Sequence, residues 1–217
     1  MGIEKIFWIL VVYPAIFVAL WLIKKSSAEG KLRPLAGSLL RSGFFILPTV
    51  VLLIRGASPQ ALGLTGGLLA PVAKWVLVAV FIAYGALMVG LGMRKSHSGE
   101  IKVMSIGVLA GAVSEEAFFR GILQTYLMAL APVWQAVVIS AFLQILLHPA
   151  NPIIPGGMKS GSGRRLHILT GFLLECACGV LLYRAGSLLP AILLNMFYHY
   201  NLMLRLMRFQ RQSAIAG

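Results

Sequence analysis

The chain has 217 residues, 59% hydrophobic and only 12% charged, with a formal net charge of +13 and a mean hydropathy of +0.89. A soluble domain of this length carries roughly twice the charged fraction, and one small core cannot enclose so much apolar surface, so an ordinary water-soluble fold is excluded and a lipid bilayer is implied as partner. The basic residues fall in short runs between apolar segments rather than in one patch, which excludes nucleic acid as a partner and marks them as topology signals.

A membrane span needs about 20 apolar residues. Seven candidates follow in chain order: 5–23, 38–54, 72–93, 103–130, 132–148, 166–184 and 187–206. The first has no basic n-region and no small-residue cleavage site, and its apolar run is too long for a signal peptide, so it is read as a span. The fourth is long enough to tilt or to extend past the bilayer. The fifth is short and is closed by Pro149. Segment 149–165, PANPIIPGGMKSGSGRR, has three prolines and four glycines and predicts an irregular loop directly after His148.

Fourteen of the 19 Lys and Arg residues fall on one side of this layout, Arg41 counted among them in the loop after the first span, and four fall on the other side. The positive-inside rule then places the N-terminus outside and the C-terminus in the cytoplasm. The expected fold is all-α: a polytopic transmembrane helix bundle of about seven spans, in a single membrane domain covering 1–217, multi-pass in the inner or plasma membrane.

All six acidic residues are Glu, and Glu115, Glu116 and Glu175 lie inside apolar segments, where charge is costly and usually functional. The fourth span contains SEEAFFRG. On a helix Glu116 and Arg120 are at i,i+4 and can pair along one face. Glu115 is rotated by about 100° and has no local partner, the disposition of a general base beside a structural ion pair. A buried structural pair with the second Glu facing a polar cavity is the plainer alternative. Gln144 and His148 are at i,i+4 near the end of the fifth span, and Asn195 and His199 share one stripe of the seventh. Taken singly, these are an interfacial histidine and interhelical hydrogen bonding. Together, three spans bring into the membrane a Glu and a His able to activate a water, and an Asn and a second His able to stabilise an oxyanion. Those are the parts needed for water attack on an amide. Cys176 and Cys178, two apart on a helix, point to different sides and imply no disulfide.

EEAFFR resembles the EExxxR motif of the CPBP family, which comprises the type II CAAX prenyl proteases and the related bacteriocin-processing, Abi-type membrane proteins. The resemblance covers about residues 103–203 and includes LYRAGSLLPAILLN, within a catalytic core of 103–206. Where the family has FxxxH, this chain has Gln144 four residues before His148. Where the family has HxxxN, it has Asn195 and His199 in exchanged order. The resemblance implies a metal-independent intramembrane endopeptidase with no cofactor. Glu115 would be its general base, and His148 would help to hold and activate the water. Asn195 and His199 would stabilise the oxyanion, and Glu116 and Arg120 would orient Glu115. The substrate would be a membrane-tethered peptide or protein terminus, reached from the cytoplasm. Gln144 and Glu175 are candidate cavity-lining residues. Two other readings stay open: a zinc peptidase with Glu115, His148 and His199 as ligands, and an inactive immunity or scaffold protein of the same fold.

Overall fold

The computed structural model describes residues 11–28, 34–64, 98–147 and 161–201, and every regular element among them is helical. The elements are α1 (Tyr13–Ala28), α2 (Pro34–Ile54), α3 (Ser98–Glu116), a π-helical segment (Ala117–Gln124), α4 (Thr125–Met128), α5 (Val133–Leu147), α6 (Gly161–Ala185) and α7 (residues 189–201). The candidate span 72–93, His148 and most of the 149–165 segment lie outside the described residues.

Local chemistry sets the ends of these helices. Pro34 opens α2, where a missing N–H costs nothing. The same helix ends in a Schellman motif: Gly56 takes a positive φ of 88°, its N–H donates to the Leu53 carbonyl at 3.0 Å, and the Ala57 N–H reaches Leu52 O at 3.0 Å. Gly186, with φ 63°, closes α6 by donating to Leu182 O at 2.8 Å, the simpler left-handed cap. α6 begins at Gly161, so residues 161–165 are helical rather than loop. Gly and Ser are poor in helix interiors but tolerated in the first turn, which is where they fall here.

The fourth candidate span is one continuous helical rod from Ser98 to Met128, with α2 packed along α3. Arg41 is correspondingly not a loop residue. It lies two turns inside α2 and is buried. The apolar core gathers where α1, α2 and the π-helical segment meet, around Leu20, Phe45, Phe118, Phe119, Ile122 and Leu123. The Phe45, Phe118 and Phe119 rings form a cluster with centroids 5.2–5.7 Å apart. The Tyr13 hydroxyl donates to the Leu143 carbonyl at 2.7 Å and ties α1 to α5.

Outward faces are apolar while the interior is charged. Ile54, Trp134, Phe142 and Tyr183 are more than half exposed, whereas Glu115, Glu116, Arg120 and Glu175 are buried. His167–Ala185 is long and apolar enough to cross a membrane by length and composition, and Leu39–Ile54 and Val133–Leu147 are shorter apolar helices.

Two glycines mark the tightest packing on the π-helical segment. A Cβ on Gly121 would lie 2.9 Å from the Leu62 carbonyl oxygen, and one on Gly179 would lie 2.7 Å from Gln124 Oε1. Gly121→Ala must displace backbone, so it is expected to destabilise the protein by roughly 1–3 kcal/mol. Gly43, helical but with nothing within 4 Å of its added Cβ, is the control. Gly43→Ala should hold or slightly raise the melting temperature in detergent. Equal melting of the two variants would count against this packing.

Candidate active site

Glu115 and Glu116 end α3, and the chain passes directly into π-helical winding from Ala117 to Gln124. π segments are rare and favour functional sites. Here the winding has a geometric consequence. Stacking at i,i+4 belongs to the α-helix, and the wider π turn loosens it. Arg120 Nε therefore lies 3.5 Å from Glu116 Oε2, an ion pair without hydrogen-bond geometry. The Thr125 hydroxyl donates to the Arg120 carbonyl, five residues back, at 3.1 Å.

The freed guanidinium turns to other helices. Arg120 Nη2 donates to Glu175 Oε2 at 2.6 Å and to the Glu175 carbonyl at 2.7 Å on α6, and Nη1 donates to Ser140 Oγ at 2.5 Å on α5. Glu175 is thus Arg120's nearest acidic partner rather than a cavity-lining group, because its carboxylate is consumed in the pair. Glu116 is held from another side. Asn195 Nδ2, on α7, donates to Glu116 Oε1 at 2.7 Å, and Gln144 on α5 lies within electrostatic reach of it. Arg120 and Glu116 have no exposed surface, so the network closes five elements around one charged knot.

Glu115 belongs to a second, adjacent pair. The cation it lacks within its own helix is supplied from α2: Arg41 Nη2 makes an ion pair with Glu115 Oε1, both groups buried. The Glu115 of the sequence reading, free of a partner, is therefore corrected to a paired carboxylate. The reason is tertiary, since α2 crosses α3 at this level. His199 lies within electrostatic reach of both Glu115 and Arg41, and its Nε2 is buried with no hydrogen-bond partner among the described residues. The Asn195–His199 stripe of α7 so meets both glutamates in register: Asn195 holds Glu116, and His199 faces the Glu115 pair. Asn195 therefore binds the structural knot, not a water at Glu115. His167 stacks on Tyr198, centroids 6.3 Å apart, beside His199. It sits inside α6.

Among the described residues the cluster holds three carboxylates (Glu115, Glu116, Glu175) and two guanidiniums (Arg41, Arg120). One formal negative charge is left over, which suits a site that takes up a proton. Glu116, Glu175 and Cys178 place their ligand atoms within 4.8 Å of one another, a spacing a metal could use. The Arg120 guanidinium already occupies that position as the counter-charge, 2.6 Å from Glu175, and a divalent cation would have to displace it. Cys178 Sγ instead contacts the Ala191 carbonyl at 3.6 Å, and both cysteines are free.

Arg41 and Ser140 are the site residues that sequence reasoning missed. Ser140 carries no signal, being one hydroxyl in an apolar helix. Arg41 does carry one, as a cation within an apolar stretch.

Residues 97–201 match the family described as type II CAAX prenyl endopeptidase, Rce1-like, and this segment belongs to that family. No curated protein and no solved structure matches the chain.

Proposed function

From the Rce1-like membership of residues 97–201 we propose that this chain is an intramembrane endopeptidase that cleaves a membrane-tethered peptide or protein terminus with a water activated by Glu115. The observation that carries the reading is the division of labour between the two glutamates. Glu116 is locked to Arg120 and Asn195, while Glu115 lies beside it, held among the described residues by Arg41 and within electrostatic reach of His199. One carboxylate is fixed as structure and its neighbour is poised to exchange a proton.

In this mechanism Glu115 removes a proton from water as the water oxygen attacks the scissile carbonyl carbon. His148 completes the water site. His199 donates toward the charge that develops on the carbonyl oxygen. Asn195 acts at one remove, by fixing Glu116. Seven spans with the N-terminus outside and the C-terminus in the cytoplasm, and a single membrane domain of 1–217 with its core at 103–206, complete the proposal. The apolar outer faces and the charged interior support it.

The test is cleavage of a farnesylated peptide ending in a CAAX tail by the purified protein in proteoliposomes, with mass spectrometry of the products. Cleavage that survives a strong chelator is expected, since Arg120 serves as the internal cation. Activity lost on chelation and restored by zinc would favour the zinc reading. A folded protein that leaves both this peptide and its unprenylated counterpart intact would favour the inactive-scaffold reading.

A further inference from the structure

Arg41 lies on α2, outside the segment 97–201 that carries the family match. Its side chain is fixed from two directions, and the second is itself buttressed. Nη2 binds Glu115, the guanidinium carbon sits 5.7 Å over the Phe45 ring, and that ring packs against Phe118 and Phe119 beside the two glutamates. One donor is unused. Nε is buried and has no hydrogen-bond partner among the described residues. A buried charged donor without an acceptor is uncommon and calls for an acceptor that arrives with a ligand.

We propose that Arg41 is a catalytic residue, holding Glu115 through Nη2 while its Nε–H donates to the carbonyl oxygen of the scissile peptide bond. The proposal rests on the peptidase reading above. As the water oxygen bonds to the carbonyl carbon, the carbonyl π electrons move onto its oxygen and the water proton passes to Glu115. Negative charge thus leaves the Glu115 carboxylate and appears on the tetrahedral oxyanion. Arg41 is bonded to the first position and donates to the second, so the same cation faces the charge before and after transfer. When the tetrahedral intermediate collapses, the C–N bond breaks, the amine takes the proton from Glu115, and the carboxylate returns to Arg41. A donor preorganised in a water-poor site acts on the transition state more than on substrate binding. His199 Nε2, also unpartnered among the described residues, is positioned to share the load.

Turnover of the farnesylated CAAX peptide by the full-length protein in proteoliposomes tests the role. Arg41→Lys keeps a cation for Glu115 but has no counterpart of the second donor in the guanidinium fork. It is expected to lower kcat roughly 100-fold with little change in KM, the signature of a lost oxyanion donor. Arg41→Ala should lose at least as much, and methylguanidinium in the buffer should restore part of its kcat without moving its melting temperature. Parent-like kcat in an Arg41→Lys protein with the parent's size-exclusion profile overturns the donor role, whether or not Arg41→Ala folds. A parent that cleaves, is disabled by Glu115→Gln and is indifferent to Arg41→Lys overturns this assignment alone. A parent that cleaves nothing overturns the peptidase reading and this proposal together.

Discussion

Glu115→Gln is expected to lower turnover by roughly 100- to 10,000-fold, the range in which a positioned general base contributes, while the protein still inserts, purifies and elutes as the parent does. Loss without unfolding follows from the contacts. A glutamine keeps an oxygen that can accept from Arg41, so the α2–α3 junction retains its link even though the charge is gone. What it cannot do is take a proton from water. Glu116→Gln is the matched comparison. Its amide oxygen can still accept from Asn195 Nδ2, but Arg120 loses one of its two carboxylates. That variant should show its larger effect in melting, and Glu115→Gln in turnover. Normal turnover in a well-folded Glu115→Gln sample would remove Glu115 from the chemistry. The inverse pattern, with Glu116→Gln inactive but stable, would mean that the two adjacent carboxylates have been assigned in the wrong order.

The parts of this site that were legible in the sequence are the parts set by local spacing. EEAFFR announced two glutamates and an arginine on one helix, and Asn195 and His199 announced one stripe. The all-helical class followed from apolar runs broken by basic clusters. What spacing could not provide was the partner of each charge. Glu116 and Arg120 are four apart, but the π winding that begins at Ala117 weakens that pairing and sends Arg120 to Glu175, 55 residues away. No periodicity argument marks the switch from α to π winding. Arg41 was misplaced for a different reason. Near the start of an apolar segment, a cation reads equally as the last residue of a basic loop or as a buried charge. Only the crossing of α2 over α3 decides between them. Gly and Ser in the 161–165 stretch predict a loop because both break helices, a rule that is weakest in a first turn.

Arg120→Ala is expected to be the most destabilising single change, at roughly 3–5 kcal/mol, the cost of breaking a buried ion pair by removing one partner. The figure follows from what would be stranded. Glu175 Oε2 and its backbone carbonyl, Ser140 Oγ and the Glu116 carboxylate all face the guanidinium, with no water-exposed surface on Arg120 itself. Two carboxylates would then sit close together without a counter-charge. Arg120→Lys should recover only part of the loss, because one ammonium cannot reproduce a planar fork directed at α5 and α6 at once. The assignment of partners can be read from double-mutant cycles in detergent melting. Because Glu175 is 2.6 Å from the guanidinium and Glu116 is 3.5 Å away, the coupling of Arg120→Ala to Glu175→Gln should exceed its coupling to Glu116→Gln. In concrete terms, Glu175→Gln placed on Arg120→Ala should raise the melting temperature relative to Arg120→Ala alone, since it removes a stranded charge. Glu116→Gln on the same background should raise it less. Equal couplings would point to a symmetric pair of carboxylates. Unchanged melting of Arg120→Ala would mean that the knot binding the π-helical segment to α5 and α6 does not hold the bundle together.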